Sequence, residues 1–295
     1  MLEKKKPQIS PFTVINHTIM ILLAIVTIFP FYNIVIVSLA DYKVLAKSPL
    51  YLFPTSFDFE AYRLVFMNKN IFNSFFVSFF ITGFGTFLSL LMTTAAAYAF
   101  SKKTLPGRST MFLIVILTMY FSGGLIPSYL TIKAYGLIDN IFVLILPNLI
   151  SAFNIILMAN YFASLPHGLE ESAKIEGAND LYILARIVIP ISMPIIATIG
   201  LFYSVGYWNE WWLAKLYLSD KSFWPLQMAL REVLFNFNQM AGSEAAKEIA
   251  AKNAAVYTRS VQSAVVVITV VPILFVYPFI QRYFTKGILL GAEKG

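Results

Sequence analysis

Few side chains in this sequence are of a kind that does chemistry. There is no cysteine among its 295 residues, so disulfides, thiol nucleophiles and cysteine metal sites are excluded. The two histidines, His17 and His167, lie far apart without metal-ligand spacing. No Gly-x-x-x-x-Gly-Lys-Ser/Thr phosphate loop occurs, and no serine sits in a nucleophile-elbow pattern. Two groups of reactive or polar residues remain. One is the charged, small-residue stretch Glu171-Ser172-Ala173-Lys174-Ile175-Glu176-Gly177-Ala178, running on to Ile187-Val188-Ile189-Pro190. The other lies in apolar surroundings: Asn154 and Asn160, then Tyr203, Trp208, Asn209, Glu210, Trp211 and Trp212.

The second group supports two readings. Aromatic rings stack on the C–H faces of sugars while amides and carboxylates take sugar hydroxyls, so Asn154, Tyr203, Trp208, Asn209 and Glu210 are candidates for a translocation cavity. The same residue types also form interfacial aromatic belts and interhelical hydrogen bonds. Both readings stand at the level of sequence.

These residues are positioned by an unusually apolar chain. It is 58% hydrophobic and 13% charged, whereas soluble domains carry about a quarter charged residues. That excess cannot be hidden in one soluble core, and an all-α polytopic membrane protein is the expected class. The net charge of +7 comes from basic residues scattered through connecting segments, with no basic stripe interleaved with stacking aromatics, which argues against a nucleic-acid partner.

Six runs are long enough to cross a bilayer: about 14–40, 72–100, 110–130, 140–162, 191–213 and 259–281. The first far exceeds the ~7–15 apolar residues of a signal-peptide core and reads as a retained span that Pro30 kinks. Gly83, Gly85 and Ala95-Ala96-Ala97 in the second allow close helix packing. Gly123-Gly124 and Pro127 interrupt the third, and Pro147 falls in the fourth. The spans are almost free of charge, Glu210 being the main exception, which argues against a proton-driven carrier and against a membrane enzyme.

An even number of spans puts both termini on one side. Lys4, Lys5 and Lys6, then Lys102, Lys103 and Arg108, then Arg282 and Lys286 place that side in the cytoplasm. The segment 163–190 is then a cytoplasmic loop. Two longer outer segments, 41–70 and 214–258, follow from the same topology. In the second, Glu244 with Lys247 and Glu248 with Lys252 support a helix across Ser243 to Ala255. It reads either as a solvated loop or as a contact surface for an external protein. No repeat is evident, and residues 1–295 read as a single domain.

The 163–190 loop reads as helix, turn, helix. Pro166 suits a first helical turn, and Glu170 and Glu171 favour the positive end of the helix dipole. Gly177 is the expected stop, Asn179 or Asp180 the next cap, and the second helix runs through Arg186 towards Pro190.

The spacing of this loop resembles the cytoplasmic signature of permease subunits in bacterial ABC importers: Glu-Ala-Ala, three residues, Gly, nine residues, Ile, one residue, Leu-Pro. Here it is Glu171-Ser172-Ala173, Gly177, Ile187 and Ile189-Pro190, with Ser172 for Ala and Ile189 for Leu. Ser122-Gly123-Gly124-Leu125-Ile126-Pro127, Trp208-Asn209 and the ending from Gln281-Arg282-Tyr283-Phe284 to Gly291-Ala292 are similar to the oligosaccharide-type group, relatives of the maltose permease.

That resemblance implies a subunit of a carbohydrate importer in the bacterial cytoplasmic membrane, forming half of a pore. Its partners would be a second, different but related permease, a pair of ATPase subunits, an extracytoplasmic solute-binding protein, the sugar and membrane lipid. Glu171, Ser172, Ala173, Glu176, Gly177, Ala178 and Pro190 would carry the coupling to the ATPase. This chain would bind no cofactor itself, ATP being held by the partner subunit. A permease for a non-sugar polar solute, and a membrane enzyme or scaffold, are the alternatives.

Overall fold

A computed structural model describes residues 11–41, 45, 52–53, 57–67, 69–242 and 259–275. The described residues are helical, joined by turns, with no strand among them. The chain divides into two units, Met1–Met67 with Val233–Ile268, and Asn68–Glu232 with Thr269–Gly295.

In the first unit, helix α1 (Pro11–Ser38) has no charged side chain and exposes apolar residues along its length, among them Ile19, Leu22, Ile25 and Ile28. Such a surface is stable only against lipid or another protein. Pro30 lies inside this helix without ending it. Ile36, Val37, Ala40 and Leu45 form a small cluster at its end. There Ser38 Oγ and Tyr62 OH are 2.7 Å apart, tying α1 to helix α2 (Glu60–Met67).

In the second unit, helix α3 (Lys69–Ser101) is the central element and packs chiefly on the helices Ala152–Ala163 and Met193–Trp208. Helix α4 (Arg108–Tyr120) and helix α5 (Leu125–Ala134) lie along the interrupted run read over 110–130, and they meet at 115°. Gly124 takes φ 85° between them, and Pro127 lacks the N–H that a continuous helix would direct at residue 123. The fourth run starts as short 3-10 turns, Ile141–Leu144 and Leu146–Asn148, and continues at 49° as helix α6 (Ala152–Ala163), with Ser151 at its N-cap. Pro147 supplies the break.

Helix α7 (His167–Ile175) and helix α8 (Asp180–Ile191) form the predicted helical pair, with Pro166 one position earlier than expected, as the residue preceding the first helical turn. Helix α9 runs from Met193 to Trp208 and is bent 86° from α8 at Ser192, between Pro190 and Pro194. Asn209 and Glu210 follow the end of this helix. Helices α10 (Trp212–Tyr217) and α11 (Leu226–Gly242) come next. Helix α12 covers Arg259–Phe275 and buries Val261, Ala264, Val265 and Ile268, one face at helical spacing.

Among the described residues two helices, α1 and α3, are long and apolar enough to cross a membrane, or up to five if each bent pair counts as one span. The helix expected across Ser243 to Ala255, the remainder of the 259–281 run, and the basic residues at both termini lie outside the described residues.

The α3–α9 seam is held by close approach and by hydroxyls. Ser89 Oγ and Tyr207 OH are 2.9 Å apart, and Thr93 Oγ1 and Tyr203 OH 2.7 Å apart. A Cβ at Gly85 would stand 2.9 Å from the Tyr207 ring, whereas one at Gly83 would meet nothing within 4 Å. Both positions are helical, so alanine should gain about 1 kcal/mol of helix propensity at either. At Gly85 the ring contact reverses that gain, since overpacking typically costs ~1–3 kcal/mol. The expected outcome is that Gly85→Ala lowers the thermal unfolding midpoint in detergent and Gly83→Ala does not. Equal midpoints would show that Tyr207 moves aside freely.

Candidate functional site

Two sites emerge in the second unit. The first is the turn between α7 and α8. Gly177 has φ 84°, a conformation open to glycine but strained for other residues. Its N–H donates to Lys174 O at 3.0 Å, and the Ala178 N–H donates to Ala173 O at 3.0 Å. This pair of bonds is the Schellman arrangement that satisfies the last carbonyls of a helix. It accounts for three small residues at once. Ala173 and Ala178 sit on the inner side, packed in the main apolar cluster, and Gly177 makes the reversal. Asn179 then caps α8, its Oδ1 accepting from Tyr182 N at 2.8 Å. Lys174 Nζ lies 3.2 Å from Asp180 Oδ1 across the turn.

Glu171, Ser172, Glu176 and Gly177 are exposed, Ala173 is buried and Ala178 half-buried. Two apolar side chains flank the turn in the open, Ile175 at 88% and Leu181 at 78% exposure, with Tyr182 at 56%. Glu171 makes no ion pair among the described residues, whereas Glu170 is paired with Lys102 at the end of α3. Pro190 is exposed near the end of α8. Residues Leu184–Val188 are wound as a π segment, closed by the Ile189 N–H donating to Leu184 O. The wider turn accommodates a proline ring that would otherwise press on the carbonyl four residues back.

The second site is a cavity of about 530 Å³ lined by Asn148, Ser151, Phe153, Asn154, Phe202, Tyr203, Gly206, Tyr207 and Glu210. Its walls are α9, α6 and the 3-10 turn before α6. Tyr203 OH accepts from Ser151 N at 3.0 Å, which fixes the start of α6 against α9. The Tyr207 hydroxyl also reaches Ile145 O at 3.3 Å. Glu210 Oε2 accepts from Asn148 Nδ2 at 3.1 Å and Oε1 accepts from Leu213 N at 2.9 Å. Its carboxylate thus holds the chain reversal at the end of α9 as well as lining the cavity.

Asn154, Tyr203 and Glu210 are brought together in this wall. Trp208 and Asn209 are not among its lining residues. The buried Trp208 donates from Nε1 to Thr269 O at 3.1 Å and meets the Phe79 ring edge-on at 5.4 Å. Asn209 is exposed and accepts from Gln227 Nε2 at 3.2 Å. Asn160 is exposed on α6. Asn148, Ser151, Phe153, Phe202, Gly206 and Tyr207 line the cavity and were not singled out from sequence. A signal for two of them was present, since Tyr203, Gly206, Tyr207 and Glu210 recur at the three- and four-residue steps of one helix face. Among the described residues no cluster of histidine and carboxylate suits a metal ion.

Comparison with known proteins bears on the whole chain. No protein-family model matches it. It is 40% identical over 284 residues to the polygalacturonan/rhamnogalacturonan transport system permease protein YtcP of Bacillus subtilis, covering 96% of this chain and 98% of that one. It is 43% identical over 270 residues to protein LplC of the same organism, covering 92% and 90%. Among solved structures, a chain of a bacterial ABC transporter involved in the import of the acidic polysaccharide alginate superposes with a TM-score of 0.84 at 32% identity, covering 95% of this chain and 100% of that chain.

The Tyr203 hydroxyl is the junction of the cavity wall, serving both Thr93 and the Ser151 N–H. Tyr203→Phe strands a backbone donor, which costs ~1–3 kcal/mol. Lower thermal stability in detergent than the parent chain is expected. An unchanged midpoint would show that neither bond contributes to the seam.

Proposed function

From a chain that belongs to the permease subunits of bacterial sugar ABC importers, and so to the integral proteins of the plasma membrane, we infer one half of an oligosaccharide pore driven by an ATPase docked on the α7–α8 turn. The chain is a transport subunit, and ATP hydrolysis belongs to a separate subunit. In the proposed arrangement residues 1–295 form one transmembrane domain of six spans with cytoplasmic termini. The bent pairs α4–α5 and α8–α9 and the broken run ending in α6 each count as a span or part of one, and the run from Arg259 completes the set.

The observation that carries the docking proposal is the form of the α7–α8 turn. An exposed carboxylate, Glu171, and two outward aliphatic side chains, Ile175 and Leu181, stand on a short, rigidly capped hairpin. A hairpin of this kind suits a cleft in a folded partner, because aliphatic groups left this open in water gain from burial. The proposed occupant is the ATPase subunit, with Glu171 facing one of its basic residues. Glu176 and Ser172 belong to the same contact surface. Ala173, Gly177 and Ala178 shape the hairpin from within, and Pro190 sets its exit.

The proposed substrate is a saccharide, and the relatives support an acidic one. YtcP is named for polygalacturonan and rhamnogalacturonan, and the superposed transporter is described as importing alginate. The cavity offers rings, Phe153 and Phe202, beside the neutral hydrogen-bonding groups Asn148, Ser151 and Asn154 and the Glu210 carboxylate, whose oxygens are engaged by Asn148 Nδ2 and Leu213 N. This mixture suits a sugar, which has an apolar face and many hydroxyls. A second, related permease would close the cavity from the other side, and an extracytoplasmic binding protein would deliver the sugar.

Two measurements test this. Gly177→Val puts a β-branched residue at φ 84°, a conformation costing roughly 1–2 kcal/mol or more. The variant is expected to insert normally and to lose the ATPase on co-purification from membranes. Full retention of the ATPase would remove the turn from the docking site. In vesicles with the complete importer, Asn154→Ala is expected to raise the KM for a galacturonate oligosaccharide by about tenfold, equivalent to ~1.4 kcal/mol. Unchanged uptake kinetics with native assembly would place the sugar path elsewhere.

A further inference from the structure

The α7–α8 hairpin is joined covalently at both ends, through residues 164–166 to α6 and through Ser192 to α9, and it is also fastened to α3 by a non-covalent connection. Lys102, at the C-terminal end of α3, pairs with Glu170, in the first turn of α7. The same Lys102 Nζ lies 4.0 Å from the centroid of the Tyr98 ring. Tyr98 is buried in the main apolar cluster together with Ala173 of the hairpin. The side chains of Lys102 and Glu170 are 23% and 20% exposed, well below the 53% and 66% of the Lys174–Asp180 pair on the outer side.

Dipoles reinforce the pair. A cation is favoured at the carbonyl end of α3 and an anion at the amide end of α7, so the two helix ends attract each other through these side chains. Arg108 adds to the same corner, its Nε donating to Phe100 O at 2.6 Å. Glu170 and Glu171 are therefore adjacent in sequence and opposed in role. Glu170 holds the hairpin to its own subunit, and Glu171 faces away from it.

From this corner a continuous set of contacts leads to the cavity. Helix α3 carries Thr93 to Tyr203 and Ser89 to Tyr207, and both tyrosines line the cavity. We propose that Lys102 and Glu170 are positioning residues that pass movement of the docked hairpin to α3, and through α3 to Tyr203 and Tyr207, so that the ATPase reshapes the cavity wall. The proposal rests on the docking of the α7–α8 turn inferred above. It assigns the coupling to a non-covalent latch on α3 as well as to the chain itself.

The sequence has no cysteine, so a single reporter can be introduced cleanly. Gly206 lines the cavity, and a Cβ there would meet nothing within 4 Å. In the assembled importer carrying Gly206→Cys, the maleimide labelling rate is measured with and without ATP and vanadate. Lys102→Met, Glu170→Gln, their double variant and Lys102→Arg are compared, with ATPase co-purification recorded for each. The expected result is an ATP-dependent change in labelling that falls about five- to tenfold in either neutralised variant, within the usual range of coupling between sites. The ATPase stays bound, Lys102→Arg keeps the response, and the double variant is no worse than either single one, as for two halves of one interaction.

Native responses in both single variants overturn the proposal, as do additive losses in the double variant. Loss of the ATPase from the Glu170→Gln complex, a change that preserves side-chain volume, also overturns it, by making the pair part of the docking surface. Failure of the underlying reading shows separately. In that case Gly177→Val retains the ATPase, or the reporter in the otherwise native complex shows no response to ATP.

Discussion

The second unit depends on one seam, where α3 lies against α9 so closely that Gly85 leaves room for the Tyr207 ring and nothing more. In an apolar environment there is little hydrophobic gain from bringing two apolar helices together, and association relies on close packing and on hydrogen bonds between helices. The seam has both. Ser89 and Thr93 meet the hydroxyls of Tyr207 and Tyr203. Ser78 accepts from Leu226 N at 2.8 Å, which brings the start of α11 to the same helix. The tyrosines are shared between tasks, since their hydroxyls hold the seam while Tyr203 and Tyr207 also bound the cavity. A change in how α3 meets α9 is therefore also a change in the shape of that wall.

The α7–α8 turn is built by different physics. Its stability is local, from the Gly177 reversal, the two bonds made by the Gly177 and Ala178 N–H groups, and the Asn179 cap. Local bonding of this sort keeps a short hairpin rigid without a large core, which leaves most of its surface free for a partner. The inner face buries Ala173, Ile183 and Val188, with Ala178 half-buried, and the residues around the turn itself are open. The charges follow the same division. Lys102 and Glu170 are partly withdrawn from water and lie inside the subunit, while Glu171 and Glu176 are exposed.

The sequence made the membrane class, the helical content and the α7–α8 hairpin legible, because each depends on composition or on nearest-neighbour chemistry. Gly177, Asn179 and Ala173 act within a few residues of themselves, and a left-handed glycine followed by a capping asparagine can be read without knowing the fold. The breaks were less legible. Gly123-Gly124, Pro127, Pro147 and Pro190 are visible as helix breakers, but whether a helix bends by 49° or 115° depends on what it packs against. Trp208 and Asn209 drew attention because aromatic and amide groups in an apolar run are costly. The partners of Trp208, Thr269 and Phe79, come from distant parts of the chain, and Gln227, the partner of Asn209, from a later helix. The latch between Lys102 and Glu170 joins residues equally remote from each other. From sequence alone Lys102 marks sidedness and Glu170 a helix start, and nothing local indicates that they meet.

The π-wound segment Leu184–Val188 has a consequence for how the hairpin is aimed. Each residue of an α-helix advances the chain by about 100° around its axis. A π turn holds one residue more than an α turn for nearly the same rotation, so the segment takes up that residue without turning the hairpin relative to α9. Were the same five residues wound as ordinary α-helix, everything on the N-terminal side would turn by roughly that angle relative to Pro190 and α9. The outward face of Glu171 and Ile175 would no longer point where it does, although every side chain in it were kept. The segment thus acts as a phase setting between the hairpin and the helix that walls the cavity, and its winding matters as much as the identity of its residues.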